Sequence, residues 1–340
     1  MAKKKSRSKV KKVKTYVVGV DLGGTKILAS VVDPKGKILG EAKQPTMPAS
    51  GAEEIVDRMV KTVGQAIKEA GVPTKRVLAV GVGAPAPVDT QTGFVFHAPN
   101  IPMLRDFPLG ESLGAALGKP VFVDNDVNVG TVGEHALGAG QGTHDMVGIF
   151  VGTGVGGGVI VGGRLRRGYR NSAGEVGHMV VGFQRQPNEP ICGCGRPGCL
   201  EAYASRTAIE RDIEAAIAAG RETIVAQLMD KRDKERITSG VLADALEKGD
   251  PLIVEIMERV TIYLSVLVAS IVNFFDPEMI VFGGGVTEAL GERLLEPIRR
   301  EAPKWYIKEA DAEKMRIVAA QLGDYAGVLG AATIARQNLA

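Results

Sequence analysis

The stretch VGVDLGGTKILAS, residues 18–30, places an apolar strand, a glycine turn and a second apolar strand in immediate succession. The stretch IFVGTGVGGGVIV, residues 149–161, repeats that arrangement about 130 residues further along the chain. A strand, a glycine turn and another strand predict an antiparallel meander. Two copies of the same meander predict a duplicated α/β domain.

The segments outside the two copies predict further elements. Residues 51–71, GAEEIVDRMVKTVGQAIKEAG, carry apolar side chains at three- and four-residue steps, which predicts an amphipathic helix with Ser50 available as its cap. The most apolar window, residues 260–275, is shorter than the ~20 residues that cross a bilayer, so we interpret it as a buried core helix. Residues 278–286, EMIVFGGGV, predict a strand that ends in a third glycine turn.

Composition indicates a globular protein of about two domains. The chain has 340 residues, of which 45% are hydrophobic and 24% charged. Its formal net charge of +3 includes eight lysines and arginines within the first fourteen residues, and without them the charge would be −5. The body is therefore mildly acidic, which argues against a general nucleic-acid-binding surface, and residues 1–15 are predicted to form a disordered basic tail. We find no signal-peptide pattern, and we expect a cytoplasmic protein with no membrane segment.

Three glycine-rich turns each follow an apolar strand, and together they favour a nucleotide-binding protein. They are DLGGTK, residues 21–26, GTGVGGG, residues 152–158, and GGGV, residues 283–286. Backbone amides in such turns can converge on a phosphate group because no side chain intervenes. None has the spacing of a P-loop, and the first leads into a strand rather than a helix, which excludes a dinucleotide fingerprint.

The segment VDNDVN, residues 123–128, predicts a strand with a polar end that offers two candidate general bases, Asp124 and Asp126. A sugar hydroxyl is a poor nucleophile, and a carboxylate within hydrogen-bonding reach can accept its proton while the bond to phosphorus forms. The residues alone also fit an Asx-rich turn after a strand.

All three cysteines lie within ICGCGRPGCLEAYAS, residues 191–205, as Cys192, Cys194 and Cys199. Thiols stay reduced in the cytosol, so a disulfide is disfavoured there. Three thiolates are one ligand short of a tetrahedral zinc site, and the spacing alone leaves zinc and free structural thiols both open.

Taken together, DLGGTK, VDNDVN, GTGVGGG, GEVGH and CGCGRPGCLE resemble the ROK family of sugar kinases and repressors, most closely its bacterial glucokinase branch. The resemblance implies an actin-like ATPase fold, a ribonuclease-H-like α/β duplication in which two lobes enclose ATP, Mg²⁺ and a sugar in the cleft between them. It also implies the expected activity, which is ATP-dependent phosphorylation of a hexose, foremost D-glucose to glucose 6-phosphate.

The resemblance assigns roles to individual residues. The family pattern Asn-Asp-x-Asn selects Asp126 as the general base. For the sugar it implies contacts from Asn100, Asn125, Asp126, Glu175, His178 and Glu201. For MgATP it implies two phosphate turns and an adenosine contact. The first phosphate turn comprises Asp21, Gly23, Gly24, Thr25 and Lys26, with Asp21 near the metal. The second comprises Gly152, Thr153 and Gly154, and Gly284 and Gly285 would contact the adenosine. For a structural Zn²⁺ it implies the ligands His178, Cys192, Cys194 and Cys199.

The expected organisation is a small lobe over 16–123, joined by a C-terminal helix 326–340, and a large lobe over 124–325 with a zinc loop at 178–201. A homodimer is expected, with no specific nucleic acid. Alternative substrates stay open because Met103, Leu104 and Ala86 depart from the glucokinase pattern: fructose, N-acetylmannosamine and N-acetylglucosamine. A sugar-responsive repressor is disfavoured because about fifteen residues before the first strand are too few for a DNA-binding helical domain.

Overall fold

The computed structural model describes residues 15–182 and 189–339. Of the predicted basic tail 1–15, all but Thr15 lies outside the described residues, as does 183–188 of the predicted zinc loop. The strands are β1 (Tyr16–Leu22), β2 (Lys26–Val32), β3 (Ile38–Pro45), β4 (Val77–Ala84), β5 (Val88–Asp89), β6 (Phe94–His97), β7 (Arg105–Phe107), β8 (Val121–Asn125), β9 (Met146–Val151), β10 (Val155–Val161), β11 (Arg164–Leu165), β12 (Met279–Gly283) and β13 (Arg316–Ala319).

The helices surround these strands, and most of them follow the second copy of the meander. They are α1 (Ala52–Glu69), α2 (Leu109–Leu117), α3 (Asp126–Leu137), α4 (Glu201–Ala204), α5 (Arg206–Ala218), α6 (Val225–Lys231), α7 (Ser239–Glu247), α8 (Pro251–Phe275), α9 (Gly285–Leu290), α10 (Glu292–Glu301) and α11 (Ala326–Gln337). Five short 3₁₀ helices connect them: Thr74–Arg76, Val176–His178, Ala302–Trp305, Ala312–Lys314 and Gly323–Tyr325.

The predicted duplication is present in the two five-stranded sheets, which share one topology. The first has the order β3-β2-β1-β4-β8 and the second the order β11-β10-β9-β12-β13. In each, three antiparallel strands form the meander and two parallel strands follow on its other side. A separate three-stranded sheet, β5-β6-β7, extends the first half.

Two helices, α3 and α11, lie between the sheets and pack together through glycines. A Cβ atom on Gly330 of α11 would lie 1.6 Å from the carbonyl oxygen of Val129 in α3. A Cβ atom on Gly19 or Gly81, in the central strands of the first sheet, would likewise lie within 2 Å of a carbonyl oxygen of α11. Because glycine has no side chain, the backbone of α11 packs directly against both the first sheet and α3.

Both predicted helices are present, but the first has a different cap and the second is longer than its apolar window. The helix at 51–71 is α1, but its cap is Gly51 rather than Ser50, whose hydroxyl donates to the carbonyl of Met47 instead. The apolar window at 260–275 forms the second half of α8, which packs into the largest hydrophobic core. Among the described residues, no helix combines the length and hydropathy needed to cross a bilayer.

The predicted lobe boundary between residues 123 and 124 stays a prediction, but it falls within β8, which continues to Asn125. The predicted C-terminal helix 326–340 begins at Ala326 and ends at Gln337. It packs against β1 and β4 of the first sheet and against α3, and its assignment to the small lobe stays a prediction.

Candidate active site

The strands of the first sheet bring two of the predicted acidic residues to one edge. Strands β1, β4 and β8 are neighbours and parallel, so their carboxyl ends lie side by side. Asp21 pairs in register with Gly83 on β4, and Ala84 on β4 pairs with Asn125 at the end of β8. Asp126 follows as the first residue of α3. Ligands of parallel α/β sheets bind outside such carboxyl ends.

The carboxylate of Asp126 is oriented through one of its two oxygens. Oδ1 accepts hydrogen bonds from the side-chain amide of Asn125 and from the backbone amide of Val127, both at 2.9 Å. No side chain of the described residues donates a hydrogen bond to Oδ2. One oxygen thus fixes the carboxyl group, and the other is available to a ligand.

Burial is the main cause that raises the pKa of Asp126, to about 7, and the nearby charge of Asp21 is the second. Hydrogen bonds from Val127 and Asn125 act in the opposite direction. Burial also raises the pKa of Asp21, to about 6, although the positive charge of Lys26 lowers it. Two carboxyl groups with pKa values near neutrality, at one sheet edge, are typical of a catalytic or cation-binding site.

Asp124, the competing candidate base, is occupied by structural contacts. It is 2% exposed, and its Oδ1 accepts from the backbone amide of Asn125 and the side-chain amide of Asn128. Its Oδ2 accepts from the guanidinium Nε of Arg167 at 2.6 Å. Sequence reasoning did not identify Arg167. Three arginines lie in or directly after β11, and nothing in their spacing indicates which of them would pair with Asp124.

Asn125 has a structural role beside its predicted sugar contact. Its side-chain oxygen caps α3 by accepting from the amides of Val127 and Asn128. Its amide nitrogen donates to Asp126 Oδ1 and, at 3.4 Å, to the carbonyl of Ala86. An Asn cap is worth about 1 kcal/mol to a helix, and here it also fixes the neighbouring carboxylate.

The first glycine turn is held by contacts at both of its ends. The amide of Gly23 donates to the carbonyl of Lys26, and the hydroxyl of Thr46 donates to the carbonyl of Gly23. Lys26 forms an ion pair with Asp324 at 2.8 Å, just ahead of α11. Gly24 lies against Asn100, since a Cβ atom on Gly24 would be 3.1 Å from that of Asn100. The predicted phosphate turn and a predicted sugar ligand are therefore neighbours.

The second and third glycine turns lie together at the corresponding edge of the second sheet. Strands β9 and β12 are parallel neighbours, with Phe150 in register with Gly283. Gly284 has φ of +86°, and a Cβ atom there would be 2.6 Å from the carbonyl oxygen of Val151. Only glycine fits both the backbone conformation and this close approach. The two turns predicted to contact phosphate and adenosine thus lie side by side.

The three cysteines and His178 converge at one point. Their ligand atoms all lie within 4.8 Å of one another, and all three thiols are free. Cys194 Sγ and Cys199 Sγ are 3.7 Å apart, as are Cys192 Sγ and His178 Nδ1. In a tetrahedral zinc site with Zn–S bonds of ~2.3 Å, neighbouring ligands lie about 3.8 Å apart. The donor set and its spacing therefore fit Zn²⁺.

The environments of the thiols differ in how far they favour ionisation. Burial opposes ionisation of Cys194, but hydrogen bonds from Arg196 lower the pKa of this thiol to about 6. Burial raises the pKa of Cys192 above its usual range. A bound divalent cation would favour the thiolate form of all three cysteines.

Glu201 connects this cluster to the second glycine turn. Cys192 Sγ donates to Glu201 Oε1 at 3.3 Å, and the amide of Val155 donates to Glu201 Oε2 at 2.9 Å. Glu175 is half-exposed, and its carboxylate is 3.9 Å from Nε2 of His178, the ring nitrogen not directed at Cys192. The predicted sugar ligands Glu175, His178 and Glu201 therefore lie in or next to the cysteine cluster. Asn125 ends β8 of the first sheet, and Asn100, in the turn between β6 and β7, lies against the first glycine turn.

The chain matches the model of the ROK family over residues 17–338. A glucokinase from Thermotoga maritima is 36% identical over 326 residues, which are 96% of this chain and 99% of that protein. The structure is similar to a ROK family glucokinase from Streptomyces griseus solved in complex with glucose and AMPPNP, with a TM-score of 0.81 and 40% identity over 95% of this chain and 99% of that one. It is also similar to a ROK hexokinase from Thermus thermophilus, with a TM-score of 0.76 and 38% identity over 96% and 99%. The glucokinase relatives match the chain over nearly their full length, and the chain belongs to the ROK family.

Proposed function

We propose that the chain is an ATP-dependent glucokinase that transfers the γ-phosphoryl group of ATP to a hydroxyl of D-glucose, giving glucose 6-phosphate and ADP. The observation that carries this proposal is the Asp126 carboxylate, which has one oriented oxygen and one free oxygen at the sheet edge beside Asp21. The glucokinase relatives, similar over nearly their full length, support the same activity.

In the proposed reaction, Asp126 accepts the proton of the sugar hydroxyl as its oxygen bonds to the γ-phosphorus. The bond from that phosphorus to the oxygen bridging the β-phosphate breaks, and ADP leaves with the electron pair. A carboxylate with a pKa near 7 is well matched to this task, because it is ionised enough to act and basic enough to hold the proton. The glycine turns supply amides that position the phosphate chain.

Asp21 would hold Mg²⁺, which would offset the negative charge of the phosphates. The carboxylate of Asp21 lies against the first turn of α11, where a Cβ atom on Gly327 would be 2.9 Å from its Cγ. Gly327 therefore leaves the room that this carboxylate needs. A cation there would also offset part of the repulsion between Asp21 and Asp126.

For the sugar, we propose contacts from Asn100 and Asp126 on one side and from Glu175, His178 and Glu201 on the other. Asn125 would contribute through the orientation of Asp126. Leu104, which departs from the glucokinase pattern, is fully buried, and Met103 is exposed. Ala86, the third departure, is also buried, and its carbonyl accepts from the side-chain amide of Asn125. Fructose and the N-acetylhexosamines therefore stay alternatives to glucose.

A panel of hexoses and phosphoryl donors tests the proposed function. ADP release would be followed with glucose, fructose, N-acetylmannosamine and N-acetylglucosamine, each with ATP, and sugar phosphate formation with polyphosphate. We expect the highest kcat/KM for glucose with ATP. A preference for an N-acetylated sugar would reassign the substrate within the same chemistry, and no turnover on any hexose would refute the proposal.

We further propose that His178, Cys192, Cys194 and Cys199 bind a structural Zn²⁺. Four protein ligands leave no open position, so the ion would hold the loop that carries Glu201 and fix the orientation of the His178 ring. The support is the spacing of the four donors and the free thiols described above.

Metal analysis tests this zinc site directly. We expect about one zinc per chain in the purified protein. The zinc content of Cys199→Ala should be several-fold lower, because this change removes a buried ligand. Melting temperature should fall for that variant and for the wild-type protein after chelation. His144→Ala is the matched control, since this exposed histidine lies outside the cluster. Equal zinc content in Cys199→Ala and the wild type would contradict the site.

A homodimer and a cytoplasmic location complete the proposal. We propose a cytoplasmic location because the proposed phosphoryl donor is ATP. For the dimer, the exposed side chains of Phe274, Trp305 and Ile307 offer an apolar surface at the end of α8. Sedimentation velocity on the full chain measures the oligomeric state, and a monomer at micromolar concentration would contradict a stable dimer.

A further inference from the structure

The second glycine turn is clamped by the N-terminus of α5. The backbone amide of Arg206 donates to the carbonyl of Gly152 at 2.9 Å, and the hydroxyl of Thr207 donates to the carbonyl of Thr153 at 2.8 Å. A third contact joins side chains, because Arg206 Nη2 donates to Thr153 Oγ1 at 2.9 Å. The first two contacts fix the backbone of the turn, and the third fixes only the threonine hydroxyl.

The hydrogen bond from Arg206 determines whether the Thr153 hydroxyl can donate a hydrogen bond to a ligand. A guanidinium group has donors and no acceptor, so Thr153 Oγ1 must accept from Arg206. Its own hydrogen is then directed elsewhere, and no described residue accepts it. A hydroxyl that accepts from a cation is also a stronger donor, because hydrogen bonds in a chain polarise one another.

We propose that Arg206 is a positioning residue that makes Thr153 a dedicated hydrogen-bond donor to the phosphate chain of the nucleotide. Phosphate oxygens at neutral pH act as acceptors, so a threonine hydroxyl that presented a lone pair would repel them. The hydrogen bond from Arg206 occupies a lone pair of the Thr153 hydroxyl and so disfavours the orientation that would repel phosphate. This inference rests on the proposed function and adds to it a residue that governs affinity for the phosphoryl donor.

The guanidinium is itself held in place. Arg206 Nε lies 3.2 Å from Oε1 of Glu210, one turn further along α5, and the two side chains are only 18% and 22% exposed. The pair lacks hydrogen-bond geometry, so its attraction is electrostatic. Two different nitrogens of the planar group thus face Glu210 and Thr153. A lysine ammonium offers a point charge without this fork, so lysine should replace arginine only in part.

The backbone clamp predicts a specific kinetic pattern. In Arg206→Ala the contacts of the Arg206 amide and of the Thr207 hydroxyl remain, so the turn and α5 should keep their structure. The variant loses the hydrogen bond to the Thr153 hydroxyl and the ion pair with Glu210, which lies one turn further along α5. Since hydrogen bonds to charged groups are worth more than neutral ones, we expect KM for MgATP to rise about tenfold. KM for glucose should stay within about twofold, because the sugar ligands lie on other elements.

The experiment is a double-mutant cycle with kinetic and binding readouts. Arg206→Ala, Arg206→Lys, Thr153→Val, Thr153→Ser and Arg206→Ala/Thr153→Val would be compared by KM for MgATP and for glucose, and by calorimetric Kd for MgAMPPNP without sugar. Arg211→Ala on the same helix is the matched control. We expect wild-type values for this control, near wild-type values for Thr153→Ser, intermediate ones for Arg206→Lys, and little added effect of Arg206→Ala in the Thr153→Val background.

Additive effects in the cycle would overturn the proposal, as would an unchanged Kd for MgAMPPNP in Arg206→Ala. An equal rise in both KM values would also overturn it, because that pattern indicates general disruption. The proposed function fails separately, if the wild-type protein phosphorylates no hexose. The MgAMPPNP titration still measures the role of Arg206 in that event.

Discussion

Asp126→Asn is expected to lower kcat for glucose phosphorylation by a factor of about 10²–10⁴, the usual contribution of a general base. Asparagine matches the size of aspartate, and its side-chain oxygen can still accept from Asn125 and Val127. What disappears is the group that takes the proton from the sugar hydroxyl. KM for MgATP should change little, since the phosphate turns lie on other elements. Steady-state kinetics with saturating MgATP measures both quantities.

The same variant carries its own control for folding. The pKa of Asp126 is about 7 in the folded protein and 3.8 ordinarily, so the folded state binds more protons between these values. The aspartate therefore costs stability as pH rises from about 4 to 7, and the cost is complete above pH 7. It is at most about 4 kcal/mol, less the part screened by water in the cleft.

Asp126→Asn should therefore melt at the same or a higher temperature than the wild type at pH 8, and should lose this advantage near pH 4. A large loss of turnover without a loss of stability identifies a chemical role. Undiminished turnover would refute the assignment of Asp126. Asp124→Asn is the matched comparison, because it disturbs the buried pair with Arg167 and should lower the melting temperature.

The outline of the fold could be predicted because its signals are local. The meanders of both halves follow from strand, turn and strand within fifteen residues, and α1 follows from the spacing of its apolar side chains. The gathering of Cys192, Cys194 and Cys199 is equally local, since tight turns at Gly195 and Gly198 close the loop. Residue spacing is sufficient where neighbours in space are neighbours in sequence.

The contacts that orient the site could not be predicted, because they join distant segments. Asp124 and Arg167 are 43 residues apart, Thr153 and Arg206 are 53, and Lys26 and Asp324 are 298. Each pair depends on how one element packs against another, which no single stretch of sequence encodes. Arg206 did carry a weak signal, since it directly follows the cysteine motif and Ser205, which caps α5.

Gly330→Ala is expected to lower the free energy of unfolding by at least about 3 kcal/mol, at the upper end of the usual cost of overpacking. The added methyl carbon would lie 1.6 Å from the carbonyl oxygen of Val129, and it would meet backbone rather than a flexible side chain. Either α3 or α11 must shift for the methyl to fit. Because Gly327 in the first turn of α11 borders Asp21, a shifted α11 should also displace that carboxylate and lower kcat.

Gly64→Ala is the matched control for this prediction. Gly64 is an exposed residue inside α1, and a Cβ atom there would have nothing within 4 Å. Since alanine favours the helix over glycine, this change should raise the free energy of unfolding by about 0.5–1 kcal/mol. Urea unfolding of both variants therefore compares the same substitution with opposite expected signs. If Gly330→Ala proved as stable as the wild type, the close seating of α11 on α3 would be wrong, and with it the reason why glycine occupies position 330.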